Sequence, residues 1–193
     1  MSIYTPETDV FEVHWEGPFT YEEFGAQFDN IESEENGLKK DAWVLYALYD
    51  DHPLYGKDVL YYIGKSKKIQ ERLKNHFDDW WGGKKCYIAS VYEFENWKSS
   101  DESADYEGAL KPEKIKNSKK VWTNEGNDLQ ISCIEELLIY GLTPAGNIRN
   151  KGSAKNSRNY RIFNTGSLGS LPSEVSGGYM LEHSINLVEN GEE

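Results

Sequence analysis

The stretch from Trp43 to His76 constrains the fold more than any other part of the chain. Val44, Leu45, Tyr46, Ala47, Leu48 and Tyr49 form an unbroken aliphatic and aromatic run, which predicts a strand. Asp50 to Asp58 contains Pro53 and Gly56 and reads as a hairpin connection longer than the commonest kinds. Val59 to Ile63 is a second strand, ended by Gly64. Lys67 to Phe77 is expected to be helical, because Ile69, Leu73 and Phe77 recur every four residues. Antiparallel pairing then sets Tyr46 near Tyr62, both close to the start of a helix that carries Arg72 and His76.

A second constellation lies downstream. Asp128 is a suitable N-cap for a helix over Leu129–Gly141. Spacing of three and four residues places Glu135 beside Ile131, Leu138 and Ile139, at the edge of the buried face. Glu136 falls nearer solvent with Tyr140. Taken alone, a glutamate at such an edge is most often a surface charge.

Together the two constellations resemble a GIY-YIG nuclease domain. Tyr62-Ile63-Gly64 reproduces the second triplet, and Val44-Leu45-Tyr46 stands in place of the first, keeping only its tyrosine. Arg72 falls eight residues after Gly64, and His76 completes an RLxxH arrangement. Glu135, Ile139, Pro144 and Asn147 match the family's glutamate, the isoleucine four on, the proline nine on and the asparagine twelve on. Tyr46 and Tyr62 are 16 residues apart, more than is usual for the family, so the intervening loop is expected to be enlarged.

The resemblance implies an α+β fold, with a small central antiparallel sheet of about three strands flanked by helices. It implies a divalent-metal-dependent endonuclease that hydrolyses DNA phosphodiester bonds, with a restriction, defence or repair role left open. Glu135 would hold one Mg²⁺ or Mn²⁺ ion per site. Arg72 would bind the scissile phosphate through its planar fork. Tyr46 or His76 would be the general base, Tyr62 would hydrogen-bond the water or phosphate, and Asn147 would brace the loop. Lys57, Lys65, Arg149 and Lys151, with Asn147, are the expected substrate-binding residues. The alternative is a catalytically silent module of this fold that binds nucleic acid or a protein. DNA is the expected partner by resemblance alone, with RNA open. One site per chain must dimerise or act twice to cut both strands.

Charge is distributed in keeping with such a site. The net charge of −12 argues against nonspecific coating of nucleic acid. Residues 1–40 hold ten Asp and Glu against Lys39 and Lys40. By contrast, Leu54 to His76 holds six Lys and Arg against Asp58 and Glu71, and Arg149 to Arg161 holds five and no acid. Both basic stretches adjoin the motif, as expected if phosphate meets the protein only there. No apolar run approaches ~18 residues, so no membrane span is expected, and no signal peptide is evident. Cys86 and Cys133 lack metal or redox spacing and read as core thiols of a reduced, cytoplasmic protein.

The domain plan is an acidic extension over residues 1–40, a nuclease-like domain over 41–150 with an insertion at about 97–127, and a basic, then Gly/Ser-rich extension over 151–193. In the first, Val10 to Trp15 reads as a short strand, Gly17-Pro18 as a turn, and Thr20 with Glu23 as a capping box for a helix bearing Phe24 and Phe28. The plain reading makes this region an added layer on the core; the functional one makes it a partner site or an acidic arm over the basic groove. Trp80-Trp81 reads as one core ring and one half-exposed ring, with base stacking as the functional alternative. Cys86 to Phe94 is the third strand. Asn164 to Gly178 reads as flexible and Met180 to Val188 as a short closing helix. His14, His52 and His183 have no metal spacing and read as structural or surface residues.

Overall fold

The computed structural model describes residues 9–24, 43–95, 119–122, 128–149, 152, 154–157 and 159–180. Its strands are β1 (Asp9–Phe19), β2 (Val44–His52), β3 (Gly56–Ser66), β4 (Lys85–Glu95), β5 (Lys119–Trp122), β6 (Tyr160–Gly166) and β7 (Glu174–Ser176). Two helices, α1 (Ile69–Asp79) and α2 (Asp128–Leu142), complete the described regular structure, with helical turns at residues 21–24 and 177–180 and a 3-10 turn at Lys155–Ser157.

The small three-stranded antiparallel sheet flanked by helices is not what forms. The sheet is mixed, larger and curled into a half-barrel. Six strands run in the order β3-β2-β4-β1-β6-β7, and β5 pairs with β4 off this path. The three expected strands are present as β3-β2-β4, but β1 adds to the other side of β4 and carries the sheet on. β6 then pairs parallel to β1, Asp9 opposite Tyr160 and Trp15 opposite Gly166. Apolar alternation explains the placement of β1: Phe11, Val13 and Trp15 are all buried on one face. The Trp15 indole N–H donates to Asn164 Oδ1 at 2.9 Å, and the Asn164 amide donates on to the Pro172 carbonyl at 2.8 Å. The segment read as flexible thus contains β7 and holds a buried hydrogen-bonded chain.

β2 is buried on both faces, as its uninterrupted apolar run requires. Val44, Tyr46 and Leu48 pack with Cys86, Ile88 and, from α1, Ile69 and Leu73. Leu45, Ala47 and Tyr49 pack with Tyr87, Ala89 and the apolar face of α2. The sheet therefore separates α1 from α2. Both cysteines are buried and free. Among the described residues no helix is long and apolar enough to cross a membrane.

Local details differ from expectation in two turns. Gly17-Pro18 is a bulge inside β1, between Glu16 and Phe19 in the pairing with β4, and proline is tolerated there because a bulge leaves a ladder position unpaired. The β2–β3 connection is short, because both strands extend and His52 pairs with Gly56. His52 Nδ1 accepts from the Leu54 and Tyr55 amides and fastens that turn. The capping box forms as expected: Glu23 N donates to Thr20 Oγ1 and Thr20 N to Glu23 Oε2. Phe28, the 97–118 part of the insertion and the segment 181–188 lie outside the described residues.

β3 is an edge strand, and its outer side is closed by the polypeptide that follows α2. Thr143 takes a left-handed conformation (φ 45°) and Pro144 follows, which ends the helix and turns the chain back. Gly146 N then donates to the Tyr61 carbonyl at 2.6 Å. A Cβ on Gly146 would overlap the Tyr61 ring, so only glycine permits this approach. Asn147 completes the closure: its Oδ1 accepts from Ile63 N and its Nδ2 donates to Ile63 O, both at 2.9 Å. Asn147→Ala is expected to lower unfolding free energy by about 1–3 kcal/mol, since both backbone groups of Ile63 lose their buried partner. A denaturant titration unchanged in midpoint would contradict this closure.

Candidate functional site

The end of β3 gathers the residues singled out in the sequence. Tyr46 lies opposite Gly64 in the β2–β3 register. A Cβ at Gly64 would overlap the Tyr46 phenol and crowd the Tyr62 ring. The glycine is thus required by close approach, and it lets the Tyr46 ring lie across the neighbouring strand. Leu73 is buried in the α1 core, which turns Arg72 and His76 of the same helix toward the tyrosines.

Tyr46, only 1% exposed, is joined to both helix residues. Arg72 Nε donates to the Tyr46 oxygen at 3.2 Å, and that oxygen lies 2.9 Å from His76 Nε2. Arginine can only donate, so the Tyr46 hydroxyl proton is free to go to His76. Burial, with the Arg72 charge adding to it, pushes His76 down to about 4, so the ring is neutral at pH 7, and in the tautomer that carries its proton on Nδ1 the Nε2 atom offers a lone pair. In that tautomer the chain of donation runs Arg72 to Tyr46 to His76. Burial pushes Tyr46 well above the ordinary phenol range, against the opposing pull of Arg72. Tyr46 is a neutral phenol here. The Tyr62 ring stacks near Tyr46 (6.0 Å between centroids) and lies 4.9 Å from His76.

Glu135 approaches from α2 around the outer edge of β3. Its carboxylate accepts from the Lys65 backbone amide and feels the charges of Lys65 and Arg72. Tyr61, Ile63 and Lys65 alternate along one side of β3. Each turns backbone outward to a group contributed by α2 or the loop after it. Burial dominates over the nearby cations and raises Glu135 to about 7.

The expected substrate-binding residues divide. Lys65 is at the site, but its ammonium binds Asp128 Oδ1 and Ser132 Oγ and lies over the Trp43 ring at 4.4 Å. Asp128, expected as the N-cap, is the first helical residue and serves as that lysine's partner. Asn147 is buried in the closure of β3. Lys57 lies seven residues before Gly64, about 23 Å along the strand at ~3.3 Å per residue, and is not brought to the site. Arg149 is exposed just beyond Asn147, and Lys151 lies outside the described residues. His14 bonds Thr165 on the far part of the sheet, and His52 fastens its turn; His183 lies outside the described residues.

Trp81 is the core ring and Trp80 the exposed one. Trp80 touches two site residues, with centroids 4.8 Å from His76 and 5.6 Å from Tyr62. Its doublet with Trp81 was the only signal in the sequence, and nothing there ties it to Tyr62.

Among the described residues no three His, Cys, Asp or Glu side chains converge to hold a metal ion. A hard divalent cation would have Glu135 as its one protein ligand, with water and phosphate oxygens completing its shell. A half-buried carboxylate whose charge is poorly compensated fits that role. No family model, characterised protein or solved structure matches this chain.

Glu135 and His76 titrate in opposite senses. Glu135 is raised from its ordinary value, so the folded state binds the extra proton between about 4.5 and 7 and loses stability as pH rises through that window. His76 is lowered, so the unfolded state binds the extra proton between about 4 and 6.5 and stability falls as pH falls. Glu135→Gln is expected to stabilise the metal-free protein at pH 8 by about 1–3 kcal/mol, a gain absent below pH ~4. His76→Asn is expected to flatten the loss of stability between pH ~6.5 and ~4. Chemical denaturation across pH measures both, and slopes of the same sign in the two variants would contradict the assignments.

Proposed function

We propose that this chain is a divalent-metal-dependent endonuclease that hydrolyses DNA phosphodiester bonds, as its resemblance to the GIY-YIG nucleases implies. The observation that carries the reading is the junction of Arg72, Tyr46 and His76 in one hydrogen-bonded chain beside the Glu135 carboxylate. Hydrolysis of a phosphodiester needs a cation for the phosphoryl centre and a route for the proton of water. Arg72 supplies the first: its Nε is engaged by Tyr46, which leaves terminal N–H donors for phosphate oxygens. Tyr46 and His76 supply the second. As water attacks phosphorus, its proton passes to the Tyr46 oxygen while the phenolic proton passes to His76 Nε2. The phosphorus–oxygen bond to the sugar then breaks with its electron pair on the leaving oxygen, which takes up a proton from solvent, and His76 later returns its proton to water. Arg72, donating to the same phenol oxygen, steadies it during the transfer. His76 is thus the terminal base and Tyr46 the relay. A bound Mg²⁺ or Mn²⁺ ion would supply Lewis-acid stabilisation of the phosphate charge. Glu135 is the residue that would hold it, and at pH 7 it must shed a fractional proton to do so, which makes metal affinity rise with pH.

One observation favours the rival reading, a catalytically silent binding module. Three lysines of the described structure are internally paired and so less open to a nucleic acid: Lys65 with Asp128, Lys84 with Asp51 and Lys85 with Asp58.

Supercoiled, branched and single-stranded DNA with Mg²⁺ or Mn²⁺ are the substrates that separate the two. Cleavage by the native protein, reduced by at least about 100-fold in Glu135→Ala and Arg72→Ala, is the expected result. Full activity in either variant would remove the mechanism. A folded native protein that cuts none of the three would support the silent module.

A further inference from the structure

An aromatic strip leads away from the site. Its inner end is Tyr62 and His76, and Trp80 covers both. Tyr61 lies 5.0 Å from Trp80, and His52 and Tyr55, stacked at 4.6 Å, extend the strip to the hairpin tip. Strand alternation alone would send Tyr61 and Tyr62 to opposite faces. A bulge prevents that. Leu48 pairs with Tyr62 and Tyr49 with Leu60, so Tyr61 is the extra residue and its ring also meets Trp80.

Trp80 is held firmly although it is 42% exposed. Its amide and that of Trp81 both donate to the His76 carbonyl, at 3.0 and 2.7 Å. The buried Trp81 indole is anchored to the Tyr49 carbonyl at 3.1 Å. A large rigid ring is thereby fixed beside the proposed base with much of its surface in water. The strip holds no lysine, arginine or acid, so it suits a flat neutral group better than a phosphate. The cation for the phosphate, Arg72, stands at its inner end.

We propose that Trp80 and Tyr61 form a stacking platform for an unpaired nucleobase next to the phosphate held by Arg72. This rests on the nuclease reading and names its substrate class: nucleic acid with single-stranded or extruded bases, rather than uninterrupted duplex. A base within a duplex already stacks on its neighbours and cannot offer its face to Trp80, whereas an unpaired base can. Base-on-aromatic stacking is tolerant of sequence.

The test is fluorescence anisotropy of a short labelled single strand and its matched duplex, at low salt with EDTA so that nothing is cut. Native protein is expected to favour the single strand. Trp80→Ala is expected to weaken single-strand binding about 10- to 100-fold and to leave duplex binding nearly unchanged, while Trp80→Phe keeps most of the preference. Tyr61→Leu, away from the end of α1, is expected to reduce the preference in the same direction and guards against misfolding of the Trp80 variant. Equal affinity of native protein and Trp80→Ala for the single strand overturns the platform, even where plasmid cleavage persists. An equal loss on both substrates does the same. Trp80-dependent single-strand binding without cleavage under Mg²⁺ overturns the hydrolytic reading and leaves the platform standing. Failure of native protein to bind either strand form overturns the platform and points the aromatic strip to a protein partner.

Discussion

The outer edge of β3 is the constraint on which the site depends. An exposed strand edge presents backbone groups that must find partners or water. Here three alternate residues are met in turn: Tyr61 by the Gly146 amide, Ile63 by the Asn147 side chain and Lys65 by the Glu135 carboxylate. The spacing of Glu135 and Asn147 acquires a physical meaning from this. One is on α2 and the other on its returning loop, and both are placed by the same strand. Glu135 is therefore near enough for its charge to act on Tyr46 although the sheet separates α2 from α1. Closing an edge and delivering a carboxylate are one structural act.

On the inner side of the same strand the determining contact is between Tyr46 and Gly64. Absence of a side chain at Gly64 lets the phenol lie where Arg72 and His76 both reach its oxygen. The direction of donation follows once His76 carries its proton on Nδ1. An arginine cannot accept, and a buried histidine beside that arginine stays neutral. A tyrosine in this setting is a poor base by itself, since burial opposes its ionisation. Coupled to a neutral imidazole, it need never hold a full negative charge. The proposed chemistry therefore uses Tyr46 and His76 in series instead of choosing between them.

Most of this site was legible because its signals are short-range. Tyr62-Ile63-Gly64, the Arg72/His76 spacing on one helix and the Glu135-to-Asn147 interval all survive in three dimensions. The extent of the sheet was not. β1 and β6 pair across about 150 residues, Asp9 with Tyr160, and no local pattern announces such a partner. β7 sits within a Gly/Ser-rich segment whose order comes from Trp15 and Asn164, outside its own sequence. Gly17-Pro18 carries turn chemistry but is absorbed as a bulge by a strand continuing on either side. The same holds for Tyr61. A bulge changes which way a side chain points without leaving a mark in composition, so the junction of Tyr61 with Trp80 was invisible beforehand.

Charge connects the site to the chain as a whole. At −12 the protein repels polyanions at long range. Three of its lysines do little to reverse that locally, because Lys65, Lys84 and Lys85 are each paired with a nearby aspartate. What remains at the centre is set by protonation rather than by number. Burial keeps His76 neutral and raises Glu135 to about 7, while Arg72 stays charged. The charged cation at the core of the site is Arg72, whose printed partners are the neutral phenols of Tyr46 and Tyr62 rather than a carboxylate. A cation arriving at Glu135 would complete that carboxylate's ionisation and increase the positive charge further. A small acidic protein can in this way confine its attraction for phosphate to one place, leaving recognition of the rest of a nucleic acid to uncharged surfaces such as the Trp80 ring.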